Sequence, residues 1–108
     1  MNTIENINPM LLDFKSQLIQ LYGNELVELI LFGSYARNQA NENSDIDVLV
    51  ILKNMTSPYS EIRKMSDIKY NLLEKYEMVL STVPTSLERY NSMETSLYRT
   101  INKEGKVI

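Results

Sequence analysis

The chain has 108 residues, 44% hydrophobic and 23% charged, which bounds one domain of ordinary globular composition with a modest core. It contains neither cysteine nor histidine, so disulfides, thiolate or imidazole metal ligands, a thiol nucleophile and an imidazole base are all excluded; any chemistry must run on carboxylates, hydroxyls, amides, Lys, Arg or a hard metal ion. Net charge is −3 with no basic run, which argues against direct nucleic-acid binding, and no apolar run reaches the roughly 20 residues that span a bilayer.

Asn8-Pro9 reads as an N-cap followed by a first-turn proline. Leu11, Phe14, Leu18 and Leu21 then recur at helical spacing, and Gly23 stands as a stop. The first predicted helix therefore covers about 9–22. Glu25 to Phe32 is rich in apolar and β-branched residues and reads as a strand, broken by Gly33-Ser34. Residues 35–44 have loop composition, within which Tyr35-Ala36-Arg37 can open a short helical turn. Asp45 to Leu52 is the clearest strand in the chain. A turn follows at 53–58. Ile62, Met65, Ile68, Leu72, Leu73 and Tyr76 mark a second helix, with Ser57 or Ser60 near its start. Glu77 to Val83 reads as a third strand closed by Pro84. Ser86 is placed to cap a short helix through Leu87 and Arg89, and a last helix covers about 95–103 with Gly105 as its stop. Lys106-Val107-Ile108 either adds an edge strand or docks on a partner. The order helix, strand, strand, helix, strand, helix fits an α/β (α+β) fold with one small mixed sheet, in a single domain over 1–108. Met1 to Glu5 lacks the basic and apolar parts of a signal peptide, so a cytoplasmic location is the expectation.

Three features carry candidate chemistry. Gly33-Ser34 follows a strand directly. A glycine there lets backbone approach a ligand closely, and a serine hydroxyl with exposed N–H groups can hold a phosphate; an ordinary strand-ending turn has the same sequence. Asp45 and Asp47 stand at i and i+2 of a strand and so share a face. Two carboxylates that close repel, and a divalent cation neutralises them directly; a solvated strand entrance is the plain alternative. Glu77, at the start of the third predicted strand, can complete a metal-binding set or act as a general base, or is a surface glutamate after a helix.

Together these features are far more specific than apart. Leu31-Phe32-Gly33-Ser34-Tyr35-Ala36-Arg37, followed by Ser44-Asp45-Ile46-Asp47-Val48-Leu49-Val50, resembles the pattern of the polymerase-β-like nucleotidyltransferases. It closely resembles the minimal nucleotidyltransferases, or MNT proteins, many of which are antitoxins paired with HEPN toxins. The resemblance covers nearly the whole chain. It implies that Gly33 and Ser34 bind the triphosphate and that Asp45 and Asp47 hold two Mg²⁺ ions. Glu77 falls where the family has a third carboxylate, usually aspartate. Arg37 lies in the family's loop, where it touches phosphate or points to solvent. Two departures stand out. Asn38 replaces a glycine, though asparagine tolerates the left-handed conformation better than most residues. Glu77 replaces aspartate, and one methylene can misplace a catalytic carboxylate.

The expected activity is Mg²⁺-dependent transfer of AMP from ATP to a hydroxyl, a tyrosine of a HEPN toxin, within a hetero-oligomer. A chain this small has no second domain to grip an acceptor, so the acceptor must be bound from outside it. Seven tyrosines and six methionines can supply an interface or simply fill the core. Three alternatives remain: an antitoxin that only binds, a small-molecule nucleotidyltransferase, and a plain interaction module whose aspartates are a surface feature.

Overall fold

The first helix, α1, runs Ile4–Tyr22 in the computed structural model, which describes residues 2–108. It begins five residues before the expected start, with Thr3 at the N-cap and Pro9 inside the helix. The proline withholds one intrahelical hydrogen bond. Ile7 inserts into the core ahead of it at 1% exposure, so tertiary packing holds the extra turn. Met10, Leu11, Phe14 and Leu18 complete the buried stripe, each gaining about 1.5–3 kcal/mol on leaving water. Leu21 points outward instead. Gly23 closes the helix at φ +56, its N–H donating to the Ile19 carbonyl.

A one-turn 3-10 segment at Gly23–Glu25 leads into β1, Leu26–Phe32. Strand β2, Ile46–Leu52, pairs antiparallel with β1, and Phe32 stands opposite Asp47. Helix α2, Pro58–Tyr76, starts under the Ser57 hydroxyl, which accepts from the Ser60 N–H. It carries the chain back so that β3, Leu80–Ser86, pairs parallel with β2. The third strand thus begins at Leu80 rather than Glu77 and runs through Pro84 rather than stopping before it. The sheet order is β3-β2-β1-β4, which makes β3 an edge. An edge strand accepts proline because one of its sides has no ladder to supply. Ser86 caps the short helix α3, Leu87–Ser92, and Thr95 caps α4, Ser96–Glu104. Lys106–Val107 then forms β4 against Ile30 and Leu31 of β1, realising the edge-strand alternative.

β2 lies inside the sheet and is apolar on both faces, which is why Val48 to Leu52 reads as an unbroken apolar run. Ile46, Val48, Val50 and Leu52 pack under α1 and α2. Leu49 and Ile51 face the other way, with Ile30, Tyr90, Tyr98 and Ile101. On that side Thr85 and Tyr98 share a buried hydrogen bond of 2.9 Å, and Tyr90 meets Tyr98 edge to face at 5.7 Å. The result is a four-stranded mixed sheet between two pairs of helices, the expected fold class. Among the described residues, no helix is long and apolar enough to cross a membrane.

Candidate active site

The chain leaves β1 at Phe32 and turns at Gly33, whose φ of +77 is a conformation that glycine adopts without strain. A Cβ at Gly33 would collide with the Asp47 carboxylate. The backbone of the turn therefore packs directly on that side chain, so both the positive φ and the close contact favour glycine at 33. The turn continues without becoming an α-helix. Arg37 donates its backbone N–H to the Gly33 carbonyl at 3.2 Å, Asn38 to Tyr35 at 3.2 Å and Gln39 to Ser34 at 2.8 Å. Tyr35 and Ala36 are buried and anchor it. Asn38 takes φ +58, a left-handed position that asparagine fills at low strain. Among the described residues, Ser34, Tyr35 and Ala36 donate no backbone hydrogen bond within the turn. A row of such groups beside a half-buried serine is suited to an anion.

Asp45 is exposed just before β2, and Asp47 is half-buried on it. The strand pleat points Asp47 to the α3/α4 side of the sheet, and Asp45 stands at the entrance of the strand, two residues before it. Burial pushes the Asp47 carboxyl above its ordinary range. The Asp45 charge adds to that, and the Arg37 charge opposes it. Arg37 itself reaches Gln39 through Nε at 3.2 Å and Glu104 on α4 at 3.8 Å. Sequence reasoning had no means to foresee Glu104, which lies 67 positions away in the chain.

Glu77 does not join this group. It is the C-cap of α2, in the left-handed conformation (φ 57, ψ 37), with its N–H on the Leu73 carbonyl. It is exposed and three residues short of β3. It shares with Tyr35, Glu42 and Asp45 an open cleft of about 500 Å³, but Asp47 does not line that cleft. Among the described residues, no three Asp or Glu side chains stand together to hold a metal ion. The structure thus sets Asp45 and Asp47 beside each other and places Glu77 at the α2 cap, on the cleft that Asp45 also lines. What the parallel ladder places beside Asp47 is Ser81, a residue visible only once the register is known.

The donors present are two neighbouring carboxylates and the adjoining hydroxyls, all hard oxygens. That set fits one magnesium-type cation whose remaining ligands are water or phosphate oxygens.

A mixed sheet with a glycine turn packed on an Asp-x-Asp strand defines the class of nucleotidyltransferases. The chain belongs to the nucleotidyltransferase domain family, whose model matches residues 11–108. It is 31% identical to the protein adenylyltransferase MntA of Thermococcus cleftensis, over 96% of this chain and 94% of that protein. A chain of Methanocaldococcus jannaschii that carries the protein adenylyltransferase name is 37% identical over 71% of this chain, which spans about half (53%) of that relative. Among solved structures, a toxin–antitoxin crystallised with AMP-PNP superposes with a TM-score of 0.61 at 21% identity, over 88% of this chain and 69% of the other. A tri-AMPylated Shewanella oneidensis HEPN toxin in complex with an MNT antitoxin superposes at 0.53 and 19% identity, over 91% and 70%. At these identities the superpositions establish a shared fold.

Proposed function

We propose that this chain transfers AMP from ATP to a tyrosine hydroxyl of a HEPN-type toxin, and acts as that toxin's antitoxin. The observation that carries the reading is the seating of the Gly33 turn on the Asp47 carboxylate, with the Asp45 charge close enough to act on it. The solved relatives that hold AMP-PNP or an AMPylated HEPN toxin support the choice of nucleotide and acceptor. One domain over 1–108 suffices for the donor half of the reaction, and the acceptor is presented by the partner in a hetero-oligomer. The cytoplasm, where ATP and such a toxin meet, is its proposed location.

In this mechanism Ser34 and the neighbouring N–H groups hold the triphosphate. Arg37 flanks the phosphates and is steadied by Glu104. Asp45 and Asp47 are the residues that would hold Mg²⁺. When bound, the ion neutralises the triphosphate and lowers the pKa of an attacking hydroxyl. The tyrosine oxygen bonds to the α-phosphorus as the bond to the β-phosphate bridging oxygen breaks. Pyrophosphate leaves with the electron pair, and the phenolic proton passes to solvent. The work is positioning and charge neutralisation, as phosphoryl-type transfer requires. Glu77, held at the helix cap, is not given a role in it.

A binding-only antitoxin is the second reading, favoured by Glu77 standing on the α2 cap rather than on the strand beside Asp47. Intact mass spectrometry of the protein encoded by the neighbouring gene, after incubation with this chain, MgCl₂ and ATP, separates the two. AMP units that appear with wild type and vanish with Asp47→Asn support transfer. A stable complex without added mass sinks transfer in favour of binding.

A further inference from the structure

We infer that Ser81 is the third polar group of the Asp45–Asp47 site and serves as a neutral oxygen ligand to the cation held there, an inference that rests on the cation reading above. In the parallel ladder Asp47 stands level with Ser81, and Leu49 with Val83. Leu49 and Val83 pack in one apolar cluster under α3 and α4. Side chains two residues apart on a strand share a face, so Asp47 and Ser81 project together on that same side. Adjacent strands lie about 4.8 Å apart, a spacing that lets one ion touch an oxygen from each.

The other neighbours of Asp47 within the sheet offer no comparable free oxygen. Across β1 it faces Phe32, which has no donor. Along β3 on the same face, Val83 is apolar and Thr85 is buried and bonded to Tyr98. Ser81 is only half-buried, so its hydroxyl lies at the open end of the sheet with Asp47. Glu77 is confined to the cap of α2. The protein's share of the cation site is then two negative charges and one neutral oxygen. Carboxylate count is a main control of affinity at such sites, so this site holds its ion weakly until nucleotide phosphates complete it. An aspartate in place of Ser81 converts it to a tight site.

The test is a titration of the full chain with Mn²⁺ alone, following the electron paramagnetic resonance of the free ion. Wild type, Ser81→Asp, Ser81→Ala and Asp47→Asn are compared. The expected order is Ser81→Asp about tenfold tighter than wild type, Ser81→Ala weaker than wild type, and Asp47→Asn without measurable binding. A gain in affinity cannot come from a misfolded variant. If Asp47→Asn loses the ion but Ser81→Asp binds no tighter than wild type, the assignment of Ser81 is overturned while the aspartates keep theirs. If neither wild type nor Ser81→Asp takes up Mn²⁺, the cation reading itself fails, and Ser81 with it.

Discussion

One face of the sheet carries α1 and α2, of 19 residues each; the other carries α3 and α4, of six and nine. A 19-residue helix is about 28 Å long, enough to cover a seven-residue strand of about 23 Å from end to end. Helices of six to nine residues span about 9–14 Å and cover roughly half of it. The long helices therefore seal Ile46, Val48, Val50 and Leu52 completely. The short ones seal Leu49 and Ile51 and leave Asp47 and Ser81 half open. The sealed face supplies stability, and the partly covered face supplies access. Substitutions that separate those two roles test the comparison directly.

The largest effect is expected at Asp47. Asp47→Asn keeps the shape of the side chain and removes the charge that holds the cation. AMP transfer should fall by at least about a hundredfold, on the scale of losing one preorganised electrostatic group. The melting temperature should hold or rise, because a carboxylate pushed above its ordinary pKa costs the folded state while ionised. An equal loss of activity and stability would contradict the division between faces. Phe14→Ala on the sealed face should do the reverse. Phe14 is fully buried, and the truncation should cost about 3–5 kcal/mol, a large fraction of a small domain's stability. Urea unfolding should show the loss, while transfer per folded molecule at low temperature stays near wild type.

Gly33→Ala is intermediate and should affect both properties. Its φ of +77 strains an L-residue by about 1 kcal/mol, and the new Cβ must displace the Asp47 carboxylate. Stability should fall by about 1–3 kcal/mol, and Mn²⁺ affinity should fall with it. A variant that melts early but binds Mn²⁺ like wild type would mean that the turn does not set the Asp47 position.

These expectations differ in how far the sequence foretold them. Asp45-Ile46-Asp47 and Gly33-Ser34 were legible because local chemistry alone makes them unusual: paired carboxylates on one strand face, and a glycine just where a strand ends. The caps at Gly23, Ser57, Ser86 and Gly105 were legible for the same reason. Pro9 and Pro84 misled because a proline is strong local punctuation, and each is tolerated for a non-local reason: Ile7 anchors the turn before Pro9, and β3 is an edge. The error at Pro84 carried into the site. Starting the third strand at Glu77 put a carboxylate on the sheet that in fact caps a helix, and it hid Ser81. Register between strands joined by a 19-residue helix is set by packing, which no local pattern records.

The smallest effect concerns two aspartates that should respond to pH with opposite signs, one on each face. Asp13 on α1 accepts hydrogen bonds from Gln17 at 2.9 Å and from Tyr76 on α2 at 2.9 Å, and pairs with Lys75 at 3.2 Å. The Gln17 bond, then Tyr76 and Lys75, hold its carboxyl below the ordinary 3.8. A depressed pKa means that the folded state favours the charged form. That stability is fully present above 3.8 and is lost as pH falls through the lower folded value. Asp13→Asn should therefore lower the melting temperature at pH 7, and the gap to wild type should close below about pH 4. Asp47 runs the other way. Its raised pKa penalises the fold at neutral pH, and the penalty vanishes as the group takes up a proton. Asp47→Asn should accordingly gain most at pH 7 and nothing near pH 3. Melting curves of the three proteins from pH 7 to 3 should converge from opposite sides. Two gaps of the same sign, or gaps independent of pH, would show that the seam between the long helices and the open end of the sheet are not electrostatically opposed.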